Sequence, residues 1–426
     1  MTRKTVSILL LLGTLVGLVL KWSMLFHMGT FDMDSYFDWG RSALQLGLPR
    51  SYHGVYFPIQ YQLFEACAWV VAKSGAQFFT IYKVPSLLCD FGTFSVLVLL
   101  LRRRGANPLY ALLYWLHPWF LAVFSLGYCD FQFSLCVLLS VWLLRGEEIK
   151  YYLMAGLPLA VAFLMKPQAQ ILIVATFAYG LSRYLRSRDW RPLCMLVPPT
   201  LLFLAYELWF TRSLPRPRYI AAQVLPLSYL NITNKMPALT AQMTNIWYPI
   251  AYLLKKPGQG VHTVSDQIHL LPYLQAKYLM SIVVLGLVCL YASRVERETE
   301  ALPSDRFVKI FCFACLAVPF LMTSAHENHL FLGSLFLVLL VAEPLSLVTK
   351  LSIQVLLVVQ FLNIYSLYGE HPHWLADLLK RTQSDVLTVA YSIVAVICFA
   401  FIAKALWSRS ATPVLPADSY GGPQRL

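Results

Sequence analysis

The sequence predicts an all-α protein that crosses a membrane many times. Three observations point there. Of 426 residues, 58% are hydrophobic and 13% charged, where soluble domains are about half apolar and roughly 25% charged. Mean hydropathy is +0.61, so there is too little polar surface to cover the apolar side chains. The apolar residues also come in long runs, with charge confined to short islands. This excludes a soluble multidomain enzyme, a disordered chain and a fibrous repeat. The net charge of +13 does not point to nucleic acid, because Lys and Arg cluster between apolar runs, as in loops kept on the cytoplasmic side. The nine Cys are scattered and mostly sit inside apolar runs. Cys312 and Cys315 form a lone C-x-x-C with no second pair, and read as packing residues.

Residues 1–4 are short and basic, and an apolar run follows to about residue 20. No small-x-small cleavage site ends it, so it reads as an uncleaved first span with a cytoplasmic N-terminus. Breaking the chain at charges, Pro and Gly places spans near 5–25, 84–101, 107–126, 131–145, 151–165, 168–184, 193–211, 278–293, 307–323, 329–349, 351–368 and 385–407. That is about twelve, with roughly 10–13 allowed because several are short. The cation pattern agrees with both ends inside. Arg102, Arg103, Arg104, Arg145, Lys150, Arg183, Arg186, Arg188, Arg191, Arg294, Arg297, Arg306, Lys309 and Lys350 fall in the expected inner connections, and the short outer ones near 127–130 and 324–328 hold no Lys or Arg. Two long outer segments remain, about 26–83 and 212–277. The first mixes aromatics with charges and has an apolar-faced stretch at 59–72, which suits helices lying in the interface. The second, with Trp247, Tyr248 and Tyr252 as anchors, suits a partly helical cap. Residues 1–407 thus form one integral-membrane domain, and 408–426 read as a disordered cytoplasmic tail. No internal repeat is evident. The sequon Asn231-Ile232-Thr233 lies in the second outer segment.

Polar groups at a membrane are costly and need a reason. Asp32, Asp34 and Asp38 fall within seven residues after the first span. On a helix Asp34 and Asp38 share a face and Asp32 points elsewhere. Such carboxylates suit a general base for a hydroxyl nucleophile, or a metal beside a phosphate; helix capping is the structural alternative. Asp130 and Gln132 sit in a short outer connection. Lys166, with Gln168 after it, lies between two apolar runs without an adjacent acid, so its ammonium must snorkel or meet an anion. His326, Glu327, Asn328 and His329 interrupt another apolar stretch. Two His at i, i+3 with no further ligand nearby make a metal site unfavoured, and hydrogen bonding to a phosphate or sugar is the better reading. Lys83 and Asp90 share one face of the second span, as a polar contact inside the bundle. Glu207 reads as packed or snorkelling. One topology brings the Asp cluster, Asp130, Lys166 and the His326 motif to a single water boundary, which suits chemistry on an anionic lipid-linked substrate.

These motifs resemble, in order along residues 30–335, the GT-C superfamily of membrane glycosyltransferases. The likeness is to bacterial mannosyltransferase-like proteins related to the GPI-anchor mannosyltransferases, and to the dolichyl-phosphate-glucose glucosyltransferases of the endoplasmic reticulum. Asp32 with Trp39 is similar to the family's first-loop pattern. Tyr56-Phe57-Pro58 is similar to its Tyr-Pro-Pro segment. Lys83-x-Pro85 with Asp90, His117-Pro118, Gly127 with Asp130-Phe131-Gln132, and Lys166-Pro167-Gln168 follow. His326-Glu327-Asn328-His329-Leu330-Phe331 resembles His-Glu-Arg-Tyr-Leu-Phe, with Asn328 where Arg is usual and His329 where Tyr is usual.

The resemblance implies an inverting transfer of a hexose, mannose by analogy, from a polyprenyl-phosphate sugar to a hydroxyl on the outer face of a bacterial cell membrane. Asp32 would be the base, with Asp34 second in line. His326, His329 and Lys166 would hold the phosphate. Asp130, Gln132, Gln168, Glu327, Trp39 and Tyr56 would complete the substrate site. No cofactor is implied, and a divalent metal is not favoured. The acceptor would be a glycan, a lipid-linked glycan or a protein. A lipid-linked-sugar flippase or secondary transporter is the alternative, although it should show two related halves and polar groups at mid-bilayer. A non-catalytic envelope assembly factor is a third class.

Overall fold

A computed structural model describes residues 2–52, 54–213, 237–297, 302–368 and 385–408. The sequon at 231–233 and the tail beyond Ser408 lie outside the described residues. The described chain is all-α and 78% helical, with 17 helices and one short antiparallel hairpin, His269–Leu271 with Leu274–Gln275. The helices are α1 Arg3–Met24, α2 Asp32–Leu46, α3 Leu48–Ser51, α4 Pro58–Ser74, α5 Phe78–Arg103, α6 Ala111–Leu116, α7 Pro118–Leu126, α8 Asp130–Leu143 and α9 Ile149–Phe163. There follow α10 Gln170–Ser187, α11 Val197–Ser213, α12 Trp247–Leu254, α13 Ala276–Val295, α14 Pro303–Leu321, α15 Phe331–Val341, α16 Leu347–Tyr368 and α17 Asp385–Ser408.

Among the described residues six helices are long and apolar enough to cross a membrane: α1, α5, α11 with the turn before it, α13, α16 and α17. The α6–α7 pair adds a seventh if counted as one bent span, the halves meeting at 46°. The bend has a local cause. Pro118 forces the preceding His117 out of the helical region, to φ −67° and ψ 134°, and the His117 ring then caps α7 by accepting from the Trp119 N–H at 3.2 Å.

Two expectations are corrected. The expected span 329–349 is an 11-residue helix, α15, after which the Glu343-Pro344 break lets α16 start at Leu347. At 1.5 Å per residue α15 covers about 16 Å, half of a hydrocarbon core. All of its residues are buried in protein. The second correction concerns Lys83 and Asp90, which do not pair. The Lys83 ammonium donates to the carbonyls of Met24, His27 and Ser125 at 3.2, 2.5 and 2.6 Å, so α5 extends N-terminally past it. Asp90 takes Lys21 of α1 at 2.5 Å and the Tyr114 hydroxyl of α6.

Lys21 is fully buried, with its ammonium 3.8 Å from the Trp115 ring. Most of α1 faces outward; only Gly17 and Lys21 are buried. Gly17 has to be a glycine, because a Cβ there would fall 2.0 Å from the Trp115 indole nitrogen. That nitrogen donates to the Thr14 carbonyl at 3.1 Å. The Lys21–Asp90 ion pair and the Trp115 ring thus anchor the buried face of the first helix.

Segment 26–83 forms α2, α3 and α4, packed around an aromatic core of Tyr36, Tyr61, Phe64 and Tyr82. In the second outer segment, residues 238–247 run against the connection between α14 and α15. Ala241 N–H donates to the Ala325 carbonyl at 3.0 Å, and the Trp247 indole donates to Leu321 O at 2.8 Å. At the other end of α14, Arg104 joins Asp305 at 2.8 Å and Glu343, while Glu147 takes Arg183 and Arg306 at 2.6 and 3.0 Å. Ion pairs close that end of the bundle, and the candidate site occupies the opposite one.

A buried charge left without its partner costs several kcal/mol, whereas removing both partners is nearly neutral. Lys21→Met or Asp90→Leu alone is expected to lower stability by about 3–5 kcal/mol. The double variant should recover most of that loss in thermal unfolding in detergent. A double variant as weak as either single would show that the pair is not a closed unit.

Candidate functional site

Four connections at one end of the bundle carry the site, and backbone hydrogen bonds stitch them together. Thr30 N–H donates to the Leu126 carbonyl at 3.1 Å, which seats the start of α2 on the end of α7. Gly127, at φ +77°, makes the sharp exit from α7; a Cβ there would meet the Met33 methyl at 2.0 Å. Phe57 and Ile59 N–H groups donate to Met165 and Leu164 carbonyls at 3.2 and 3.0 Å. This seats the Tyr56 segment on the Lys166 turn. Residue 241 and its neighbour pair with His326.

At the centre is Asp130, the first residue of α8 and 1% exposed. One oxygen receives the Lys166 ammonium at 2.7 Å, the other the Asn328 amide at 2.9 Å. Lys166 therefore meets an anion, as the sequence allowed, but the anion is the protein's own. Its charge is committed to Asp130, so it is not a free cation for a phosphate. Asn328, in the position where the resembling family has Arg, completes the same clamp.

Next to it Glu327, 3% exposed, accepts from the Tyr128 hydroxyl and from the Tyr368 hydroxyl at 2.9 Å. His326 Nδ1 lies 3.9 Å from the Glu327 carboxylate. His326 and His329 sit on a turn rather than a helix face. The His326 N–H donates to His329 Nδ1 at 3.2 Å. That leaves His329 Nε2 as the protonated nitrogen of a neutral ring. Burial first, then His326 and Lys166, hold the His329 pKa well below the usual histidine value. It can donate a hydrogen bond but brings no positive charge. Gln168 and His329 line one small, mostly apolar cavity with Phe133, Pro319 and Leu332.

Asp32 is half-buried at the rim of this cluster, as the first residue of α2. Burial raises its pKa most, and Glu327 raises it further; His326 and Lys166 act in the opposite sense. A carboxylate whose proton affinity is raised by its surroundings is a better base than a free one. Tyr56 and Tyr36 share a hydroxyl contact at 3.0 Å, and burial first, with Asp32 as a smaller contribution, pushes the pKa of both well above the usual tyrosine value. Trp39 stacks on Tyr61 at 5.7 Å beside the Tyr56 ring.

Other expected site residues lie apart. Asp34 is exposed on the far face of α2, as is Asp38, which pairs with Arg41 at 3.1 Å. Gln132 is buried and donates to Ser86 of α5 at 2.8 Å, which places it in helix packing. Among the described residues no three His, Cys, Asp or Glu form a metal-binding group. Tyr36 and Tyr368 were not anticipated. Tyr36 had a signal, standing one helical turn after Asp32; Tyr368 had none, being the last residue of an apolar helix.

No protein-family model and no curated protein sequence matches this chain. What the site can do rests on its geometry: a half-buried carboxylate of raised basicity, neutral imidazole and phenol donors, and a fully neutralised lysine.

The Asp130 clamp has unequal members. Asp130→Ala strands the Lys166 charge and is expected to cost about 3–5 kcal/mol of stability. Asn328→Ala removes one hydrogen bond to a charged group and should cost about 1.5–3 kcal/mol. Unfolding in detergent compares them, and equal losses would mean that Asp130 is not the centre.

Proposed function

We propose that the protein is an inverting membrane glycosyltransferase of GT-C type. In this reading it moves a hexose, mannose first among candidates, from a polyprenyl-phosphate sugar to an acceptor hydroxyl on the outer face of a bacterial cell membrane. This reading keeps about twelve crossings by counting α8, α9, α10, α14 and the α6–α7 pair with the long helices, and by taking α15 together with its flanking turns as one crossing. One observation carries the proposal: Asp32, on the connection after α1, stands within electrostatic reach of Glu327 and His326 on the α14–α15 loop and of Lys166 on the α9–α10 turn.

The acceptor oxygen attacks the anomeric carbon while Asp32 takes its proton. The bond from that carbon to the phosphate oxygen breaks, the electron pair leaves with the polyprenyl phosphate, and configuration inverts. The leaving group is already an activated phosphate, so a base plus hydrogen-bond donors suffice. His326 and the His329 Nε2–H supply donors to the phosphate, Tyr56 and Trp39 an aromatic wall for a sugar. Lys166 supports this through Asp130, holding the turn rather than binding the phosphate alone.

Asp32→Asn is expected to lower transfer by about 10²–10⁴-fold while binding of a polyprenyl-phosphate sugar persists. The measurement is turnover of purified protein with a panel of such donors, and wild-type turnover in the variant would end the assignment.

Asp32 works ionised, so activity falls as pH drops through its pKa. Because that pKa is raised, the acid limb of kcat/KM should lie above the ordinary carboxylate value of about 4. Glu327→Gln removes a raising influence and should move the limb to lower pH. His326→Ala removes a lowering one and should move it higher. Shifts of the reverse sign would separate the limb from Asp32.

A further inference from the structure

Away from the reacting groups, a carboxylate in the cap holds the turn on which the His326 loop begins. Asp266 is 1% exposed. Its Oδ2 accepts from the Ser324 hydroxyl at 3.1 Å and the Thr323 hydroxyl at 3.4 Å, while its Oδ1 is buried with no hydrogen-bond partner among the described residues. Both backbone groups of Asp266 are fixed: its N–H donates to Pro237 O at 3.1 Å, and its carbonyl accepts from Lys277 N–H at 3.3 Å. The carboxylate is therefore anchored, and the loop is what it anchors.

Ser324 needs such an anchor. Its φ is +58°, a left-handed conformation that non-glycine residues adopt at a cost and keep only where neighbours over-determine it. Ser324 N–H donates to Ala238 O at 3.0 Å, and the single hydroxyl proton is shared between Ala238 O at 3.0 Å and Asp266 Oδ2 at 3.1 Å, so the cap grips the residue through Ala238 and Asp266 together. Gln242, facing His326 across the same contact, is also left-handed, at φ +70°. Three residues beyond Ser324 stands Glu327, the acid beside Asp32.

We infer that Asp266 is a positioning residue: through the Thr323 and Ser324 hydroxyls it fixes the loop that sets Glu327, His326 and His329 around Asp32. A loop displaced by about 1 Å from its productive geometry can lose roughly 100-fold in rate. The inference rests on the transferase reading for its kinetic consequence, but the holding of the loop is observable without it.

The experiment uses the full-length protein in detergent or nanodiscs and compares Asp266→Ala, Asp266→Asn and Ser324→Ala. Hydrogen–deuterium exchange is followed over residues 320–330, alongside kcat and KM for a polyprenyl-phosphate sugar. Asp266→Ala is expected to speed exchange in that segment and to lower kcat by about 100-fold with a small change in KM. Asp266→Asn keeps a carbonyl acceptor for both hydroxyls and should restore most of both. If Asp266→Ala does not fold, Ser324→Ala breaks the same tie from the loop side and should speed exchange in the same way. Unchanged exchange and rate in the alanine variants would overturn the inference. Equal losses in the alanine and asparagine variants would overturn it too, because the charge would then matter rather than the hydrogen bonds. If the wild type transfers no sugar from any donor, the functional reading fails, and the exchange result alone decides whether Asp266 holds the loop.

Discussion

The Asp130 carboxylate is the joint on which this end of the molecule turns. It is enclosed, so its charge is tolerable only because both oxygens are satisfied, by the Lys166 ammonium and the Asn328 amide. Those two partners come from different connections, the turn between α9 and α10 and the loop between α14 and α15. A single ionised group at the start of α8 therefore fixes the relative position of three loops that hydropathy alone would leave free. Once they are fixed, Glu327 lands between two tyrosine hydroxyls and the Asp32 helix has a place to dock.

The same economy leaves the cluster short of free positive charge. Lys166 is spoken for and His329 is held neutral, while Asp32, Glu327 and Asp130 stand close by. An anion entering this cluster would meet directed hydrogen-bond donors before it met a free cation. Such donors act strongly only where water is scarce and their orientation is set beforehand. The backbone stitching between residues 30 and 126, 57 and 165, and 241 and 325 provides that rigidity.

Much of the helical architecture was legible, because apolar runs broken by charge report a bilayer-scale pattern directly. Helix limits were less so where a polar residue finds hidden partners. Lys83 reads as an edge, yet three backbone carbonyls absorb its charge and α5 continues past it. The 329–349 run reads as one span because its break, Glu343-Pro344, is short and both flanks are apolar. Asp90 was visible, but its partner Lys21 lies 69 residues away, and only the packing of α1 against α5 shows that they meet. Within the site, Asp32, Asp130, Lys166 and the His326 motif stood out as polar groups in apolar surroundings. Whether Lys166 was free or paired, and that Asp34 faces outward while Tyr368 faces in, depended on side-chain direction, which no spacing rule supplies. Asp266 left no trace, since an acid in a polar loop looks like any other.

The short, wholly enclosed α15 has a consequence for how the chain is made. A segment of about 16 Å is too short to span a hydrocarbon core by itself. Since every one of its residues ends up against protein, it gains its surroundings only when its neighbours are already in place. Were this part of the chain to enter a bilayer, α15 would have to do so together with α14 and α16 rather than alone. The loop that carries His326 and Glu327 joins α14 to α15, so it would take its place in the same event.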